Sequence, residues 1–424
     1  MSDNKSKSCL KPITSVGLVC TDHIFLKRKG RIKYITSTGG GSAGNTVVYL
    51  TFSGQKTNII SVIGDDETGR IALQDFKRLN VDTSGIITRA GSSTKQYAHV
   101  INEGYARDHD FKKKCPVCSN LYPNPVQFRN SYLEKKHLDI IRNSRLVHVD
   151  RISESYLKLA KLAKDNGIPV VVDLGTVYKR FTKKETIKKA IKYADIIQIP
   201  ENNEEFLQEK LDIGNFWDIN QEIKGWVVTT NNGKMKARVK ENGKEKDLLV
   251  PVIPVKDVVD TGGAGDTFFA HFILALDKLS DHFSNIDTFT AKEWKEAVSS
   301  AGKIASESCR YYGARGYLYS MLAKREGIEE ENKLAILEKY GEQLGKRCPC
   351  KKKGNTSLTA VSEENLVKLI KKKKGRNLFE TNMLNMPGYV SWTLMNTKRN
   401  GFSSENKGNM AFVGSGGSYT VATA

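Results

Sequence analysis

The chain has 424 residues, of which 39% are hydrophobic and 27% charged, with seven cysteines and a formal net charge of +20. That length exceeds one ordinary domain, seven thiols are too few for a disulfide scaffold, and no apolar run approaches the roughly 18 residues that a membrane-spanning helix requires. The positive field attracts nucleotides, phosphosugars, nucleic acid or anionic lipid without distinguishing them, and a lysine-rich surface that serves solubility alone is the plain alternative. The first residues, MSDNKSKSCLKP, are polar where a secretory signal carries its apolar core, which argues for the cytoplasm.

In chain order, ITSVGLVC at 13–20 reads as a core strand, and IFLKRKGRIKYIT at 24–36 as two strands around Lys29-Gly30. After the glycine-rich GGGSAGN at 39–45, the segment TVVYLTFSG has helical spacing and stops at Gly54, and TNIISVIG at 57–64 predicts a buried strand. The alternation continues as helix SYLKLAKLAKDNG, strand IPVVVDLG, helix ETIKKAIKYA, then strands ADIIQIP and GWVVTT. Strands apolar along their length and separated by amphipathic helices require a mostly parallel sheet covered on both faces, an α/β fold. Function in such sheets collects at the carboxyl ends of the strands. Residues 1–320 are expected to form this body. Beyond it, 321–405 is lysine-rich, buries little, and reads as a basic linker or irregular region with one or two helices. The closing NMAFVGSGGSYTVATA, within 406–424, reads as a strand, a Gly-Ser turn and the first residues of a helix too short to stand alone, as in a truncated chain.

The strongest chemical signal is DTGGAGDTFFAHFILAL at 260–276. Apolar residues Phe268, Phe269, Phe272, Ile273 and Leu276 keep helical spacing, so GGAGD forms the turn into a buried helix. Glycines allow close backbone approach and a helix N-terminus favours negative charge, which together make an anion hole. Asp266 beside it is placed to accept the proton of an attacking hydroxyl; a plain helix cap is the alternative. GGGSAGN supplies a second close approach, where Asn45 offers a donor and an acceptor to a polyol.

With both motifs in this order, residues 13–318 resemble the ribokinase, or phosphofructokinase B, family of carbohydrate and nucleoside kinases. Gly40, Gly41 and Asn45, followed by GDDETG, match the N-terminal signature, and DTGGAGD matches the C-terminal one. The resemblance implies a ribokinase-like fold with a small β lid, here about 22–36 and 95–111, through which such proteins often dimerise. It implies ATP-dependent phosphorylation of a sugar hydroxyl, with Asp266 as base, Gly263, Ala264 and Gly265 donating N–H groups to the phosphoryl, and Asp22, Gly40, Gly41 and Asn45 at the substrate. ATP and Mg2+ follow as cofactors, with a monovalent cation as a further one. Asn202 and Glu205 fit an Asn-x-x-Glu pattern that orders the magnesium, with two extra residues after the strand. Thr229 and Asn231 fit the nucleotide loop, with Asn231 where a glycine is usual, and Gly313 fits the segment closing over adenine. His271 replaces another usual glycine and reads as a packed or surface residue. A nucleoside kinase of the same fold and a ligand-sensing module with weak transfer are the competing functions. Partners on this reading are small molecules, with no membrane and no nucleic acid.

KCPVCSN has the Cys-Pro-x-Cys form of a zinc knuckle, and RCPCKKK supplies a second pair. Cys115, Cys118, Cys348 and Cys350 would complete a tetrahedral zinc site stapling the tail to the body. Free surface thiols or a redox-sensitive pair are the alternatives. The terminal AFVGSGGSYT resembles the opening of a sugar isomerase domain, where a Gly-Ser loop cradles a phosphosugar.

Overall fold

The computed structural model describes residues 10–104, 109–175, 182–229, 234–283, 288–329 and 332–350, and the backbone of 410–415 and 418–423. Met1–Gly354 and Asn355–Ala424 are separate units. The first holds nine strands in one sheet: β1 (Ile13–Val16), β4 (Thr57–Gly64), β5 (Ile86–Arg89), β8 (Leu146–Val149), β9 (Val170–Asp173), β10 (Ile196–Pro200), β11 (Gly225–Thr229), β12 (Lys234–Glu241) and β13 (Lys244–Pro251). Their order is β13-β12-β11-β10-β9-β8-β1-β4-β5. The neighbours from β5 through β11 run parallel, and β12 and β13 close one edge antiparallel. Val16 lies opposite both Ile60 and Val149, so the carboxyl ends of the central strands come out level.

The apolar strands are buried on both faces as their composition requires: TNIISVIG is buried at every position. One face packs on α1 (Ser42–Phe52), α8 (Ala264–Leu279), α9 (Ala291–Ser308), α10 (Gly316–Arg325) and α11 (Lys333–Tyr340), around Val47, Phe269, Phe272 and Trp294. The other packs on α5 (Glu154–Asp165), α6 (Lys184–Tyr193) and α7 (Glu201–Leu211), around Leu159, Ile187 and Trp226. This is the expected α/β architecture.

A second, four-stranded sheet has the order β3-β2-β6-β7, from β2 (Cys20–Arg28), β3 (Arg31–Gly40), β6 (Gln96–Asn102) and β7 (His109–Lys112). The hairpin of β2 and β3 turns at Lys29 and Gly30, whose φ of 46° and 76° satisfy a two-residue turn matched to strand twist. Phe25, Tyr34, Ala98, Val100 and Cys115 form its separate small core.

Two expectations need correction. The boundary at 320 falls inside α10, and the 321–405 segment does not begin as a linker. Ile336, Leu337 and Tyr340 on α11 are buried, and the backbone of Glu342 pairs in both directions with Ser37 of β3. The charges that made this stretch look solvated lie between apolar positions at helical spacing. The final segment forms an antiparallel hairpin of β14 (Met410–Ser415) and β15 (Ser418–Thr423), not a strand followed by a helix. Tyr, Thr and Val in SYTVAT suit a pleated strand better than a helix.

Candidate active site

The loop before α8 is built by its glycines. Gly263 caps the helix with φ 80°, and a Cβ there would lie 2.4 Å from Cβ of Ala314. A Cβ on Gly262 would lie 2.5 Å from Cε1 of His99, whereas one on Gly265 would meet nothing within 4 Å. The first N–H groups of a helix have no intrahelical partner, and the N–H of Ala264 donates to Thr261 O at 3.3 Å, so the start of α8 presents a positive dipole end beside Gly265. Asp260 holds the loop from beneath: its carboxylate accepts from the N–H of Gly262 and of Gly313, each at 2.8 Å, and pairs with His99 Nε2 at 3.3 Å. Burial opposes charge on both partners, yet their attraction holds Asp260 below and His99 above their ordinary ranges. His99 belongs to β6, so the small sheet docks on the glycine loop before α8.

Asp266 sits in the first turn of α8, and its Oδ2 accepts from Asn45 Nδ2 at 2.7 Å. Asn45 Oδ1 accepts from Arg315 Nε at 2.9 Å, and Arg315 Nη1 donates to Asp75 at 2.7 Å. Asp75 also accepts from Tyr319 at 2.6 Å and from Arg78 at 2.6 Å. Arg315 is 1% exposed and lies under the glycine loop, where a Cβ on Gly39 would approach its Nη1 to 2.2 Å. Burial raises Asp266 above the usual carboxylate range, with the Asn45 and Ser42 side chains pulling it back and Asp22 adding to the rise. The two glycine motifs, more than 200 residues apart in the chain, therefore meet at the Asp266 carboxylate, through Asn45 and Ser42.

Asp22 is buried on β2, with Oδ2 so close that a Cβ on Gly40 would lie 2.1 Å away. Gly41 opens α1 with φ 87°, where a Cβ would meet Leu18 O at 2.4 Å. Burial raises Asp22, opposed by the charge of His99. Two further carboxylates escaped the sequence reading. Asp150 accepts from the N–H of Leu18 and Ala43 at 2.9 and 3.0 Å, and burial pushes it up to about 6. Asp173, ending β9, is pushed up to about 7 by burial, with Asp266 and Asp150 adding repulsion. Their one signal is that each ends or follows an apolar strand, in LVHVD and PVVVD.

The nucleotide-side assignments fare differently. Asn231 lies outside the described residues, as does the side chain of Asn202. α7 begins directly after Pro200, which turns Glu205 outward into an open depression beside Gln208, Glu209 and Asp212. The buried acid of that turn is Glu204, which accepts from Trp226 Nε1 at 3.0 Å and faces Lys236 at 3.5 Å. Thr229 ends β11 and accepts from Gln198 at 3.2 Å, and Gly313, with φ 73°, donates to Asp260. His271 donates to the carbonyl of Thr267 at 2.9 Å and packs against Tyr49. Away from this cleft, the Sγ atoms of Cys115, Cys118, Cys348 and Cys350 lie within 4.8 Å of one another.

Residues 11–319 match the family model described as pfkB family carbohydrate kinase. The ribokinase of Bacillus subtilis is 25% identical over 279 residues, covering 65% of this chain and 83% of that protein. A fructokinase of Xylella fastidiosa with bound ATP superposes with a TM-score of 0.58 at 16% identity, over 75% of this chain and all of the other. A nucleoside kinase of Methanocaldococcus jannaschii superposes at 0.53 with 20% identity, over 72% and 94%.

Proposed function

The chain belongs to the pfkB family of carbohydrate kinases, and from that premise we propose that it moves the terminal phosphoryl group of ATP to a hydroxyl of a sugar-like polyol, with Asp266 as the base. The observation that carries this reading is the 2.7 Å contact between Asn45 and Asp266 at the open helix start. Asn45 holds the carboxylate in one orientation and helps keep the half-buried group ionisable. The substrate hydroxyl gives its proton to Asp266 as its oxygen bonds to phosphorus, and the bond to the ADP oxygen breaks. N–H groups of Gly263, Ala264 and Gly265 take up the charge spread over the phosphoryl oxygens. Asp22, Gly40 and Gly41 bind the polyol. Thr229 and Gly313 lie on the nucleotide side, together with Asn202 and Asn231.

The donor set fits a hard divalent cation. Asp173 is a carboxylate whose ionisation burial and like charges oppose, and Mg2+ restores such groups to the charged form. Asp173 would hold the ion and its waters in place of the outward-facing Glu205, and the ion would neutralise the phosphates of ATP. The four-stranded sheet acts as the lid: His99 on Asp260 seats it against the anion loop and excludes water from the transfer.

A coupled ADP-release screen over hexoses, pentoses, their phosphates and nucleosides tests the reading. Substrate-dependent ADP release by the parent, absent in Asp266→Asn, is the expected result. Turnover of Asp266→Asn within a few-fold of the parent excludes it as the base.

A further inference from the structure

Cys115 and Cys118 lie after β7 in a tight turn: the N–H of Ser119 donates to Cys115 O at 2.9 Å, the N–H of Cys115 to Asn120 O at 2.8 Å, and Lys114 pairs with Leu121. Cys348 and Cys350 end the described part of the first unit. The Sγ atoms of Cys118 and Cys348 stand 3.9 Å apart, and all four are free thiols. A disulfide would bring sulfurs to about 2.05 Å. A tetrahedral zinc ion with Zn–S near 2.3 Å sets sulfur–sulfur edges of about 3.8 Å, which the cluster approaches.

We propose that Cys115, Cys118, Cys348 and Cys350 hold one zinc ion in a closed tetrahedral site, and that this ion clamps the 342–350 segment to the lid. Four soft thiolates select zinc over the hard cations that oxygen donors take. Four thiolates around a divalent ion leave a net negative centre, and Lys113 and Lys114 before the first pair, with Lys346 and Arg347 before the second, offset it. The lid needs such a clamp because its own core is small: Cys115 packs with Phe25, Tyr34, Ala98 and Val100, and Tyr122, Cys348 and Cys350 border them.

From the clamp, contacts run to the substrate strands. Glu342 O accepts from Tyr34 and Thr36, each at 3.2 Å, and Arg70 grips its carboxylate at 2.7 and 2.8 Å. The Tyr122 ring lies 5.0 Å from that of His23, the neighbour of Asp22. Zinc thus positions β2 and β3, and its loss raises substrate KM more than nucleotide KM. This last step rests on the function proposed above; the metal content does not.

The test uses full-length protein purified under reducing conditions without chelator. About one zinc per chain by elemental analysis is expected, released on titrating the thiols with a mercurial. Cobalt substitution should show the absorption of tetrahedral cobalt thiolate. Cys348→Ser/Cys350→Ser should lose the metal, speed trypsin cleavage at Lys346 and Arg347, and raise substrate KM at least five-fold, with nucleotide KM within two-fold. Zinc extracted from the parent by a strong chelator and then restored should move KM up and back, which separates metal loss from misfolding of the variant. Metal-free protein whose four cysteines alkylate freely in the folded state, or whose mass shows disulfides, overturns the proposal. Zinc present with no kinase activity on any acceptor sinks the functional reading and leaves the site standing; zinc present with KM unmoved on its removal overturns the clamp.

Discussion

The large sheet and the lid sheet are held together by different means. The large sheet has helices on both faces, and each interface buries a continuous apolar core in which Phe269, Phe272, Trp226 and Trp294 are almost wholly enclosed. The lid has one small cluster of its own, while Ile24, Ile35 and Ile101 of its strands join the large core, and a buried His99–Asp260 pair and four thiols add polar and sulfur contacts. Packing supplies the body's stability, whereas the lid combines a smaller share of that packing with polar and sulfur contacts to neighbouring segments. Such a region can open while the body stays folded, as access to an enclosed site requires.

The largest effect tests the point where body and lid converge. Asp266→Asn keeps size and polarity, so ATP binding and Tm should hold while kcat falls by about 10²–10⁴-fold, the usual contribution of a general base. Stopped kinetics with unchanged ATP affinity by calorimetry is the expected pair of results.

Removing one aromatic from each region tests the contrast itself. Phe269→Ala in the body should cost about 3–5 kcal/mol in urea unfolding. Phe25→Ala in the lid should leave that global value almost unchanged and speed amide exchange around residues 20–40 and 96–102. Equal global losses would mean that the two sheets unfold as one.

Asp22→Ala removes a charge-assisted bond to one substrate, about 1.5–3 kcal/mol, so the polyol's KM should rise about 10–150-fold while that for ATP stays within a few-fold. Parallel rises in both constants would place Asp22 in the framework of the body.

The smallest effect is a pH slope. Asp150 and Asp173 have folded values of about 6 and about 7, raised by burial, so the folded state binds more protons than the unfolded one above the ordinary carboxylate range. Their contribution is present at low pH and lost as pH rises through 6 to 7. Ligand-free protein should therefore lose Tm from these groups between about pH 4 and 7, and Asp173→Asn should flatten the curve. Because Asp266 is also raised, the acid limb of kcat should lie above the ordinary Asp range.

Much of this architecture was legible in the chain. TNIISVIG and IPVVVDLG announce buried parallel strands because apolar residues fill neighbouring positions and so both faces, and DTGGAGD announces the turn into a buried helix because Gly262 and Gly263 have no room for a Cβ. What stayed hidden lacks short-range spacing. Arg315 reaches Asn45 and Asp75 across 270 and 240 residues, and no local pattern marks a buried arginine. The Asn-x-x-Glu pattern points to Glu205, but α7 starts immediately after Pro200 and one residue of helix turns a side chain by about 100°, so Glu204 is the acid that is buried. Residues 332–350 read as solvated because lysine and glutamate surround the few positions that α11 buries.

The pairing of Glu342 with Ser37 has a bearing on assembly. β3 is an edge strand, and such an edge is a template on which another chain can add a strand. Here the chain's own 342–343 stretch occupies that template along Ile35 and Ser37, with Gln343 donating to Ile35 O. The remainder of the edge carries Arg31 and Lys33 beside the Lys29 turn, so a second copy approaching it meets like charge. Among the described residues β7 is the other edge of the lid sheet, and the same short tail that tethers the lid covers part of the edge opposite it.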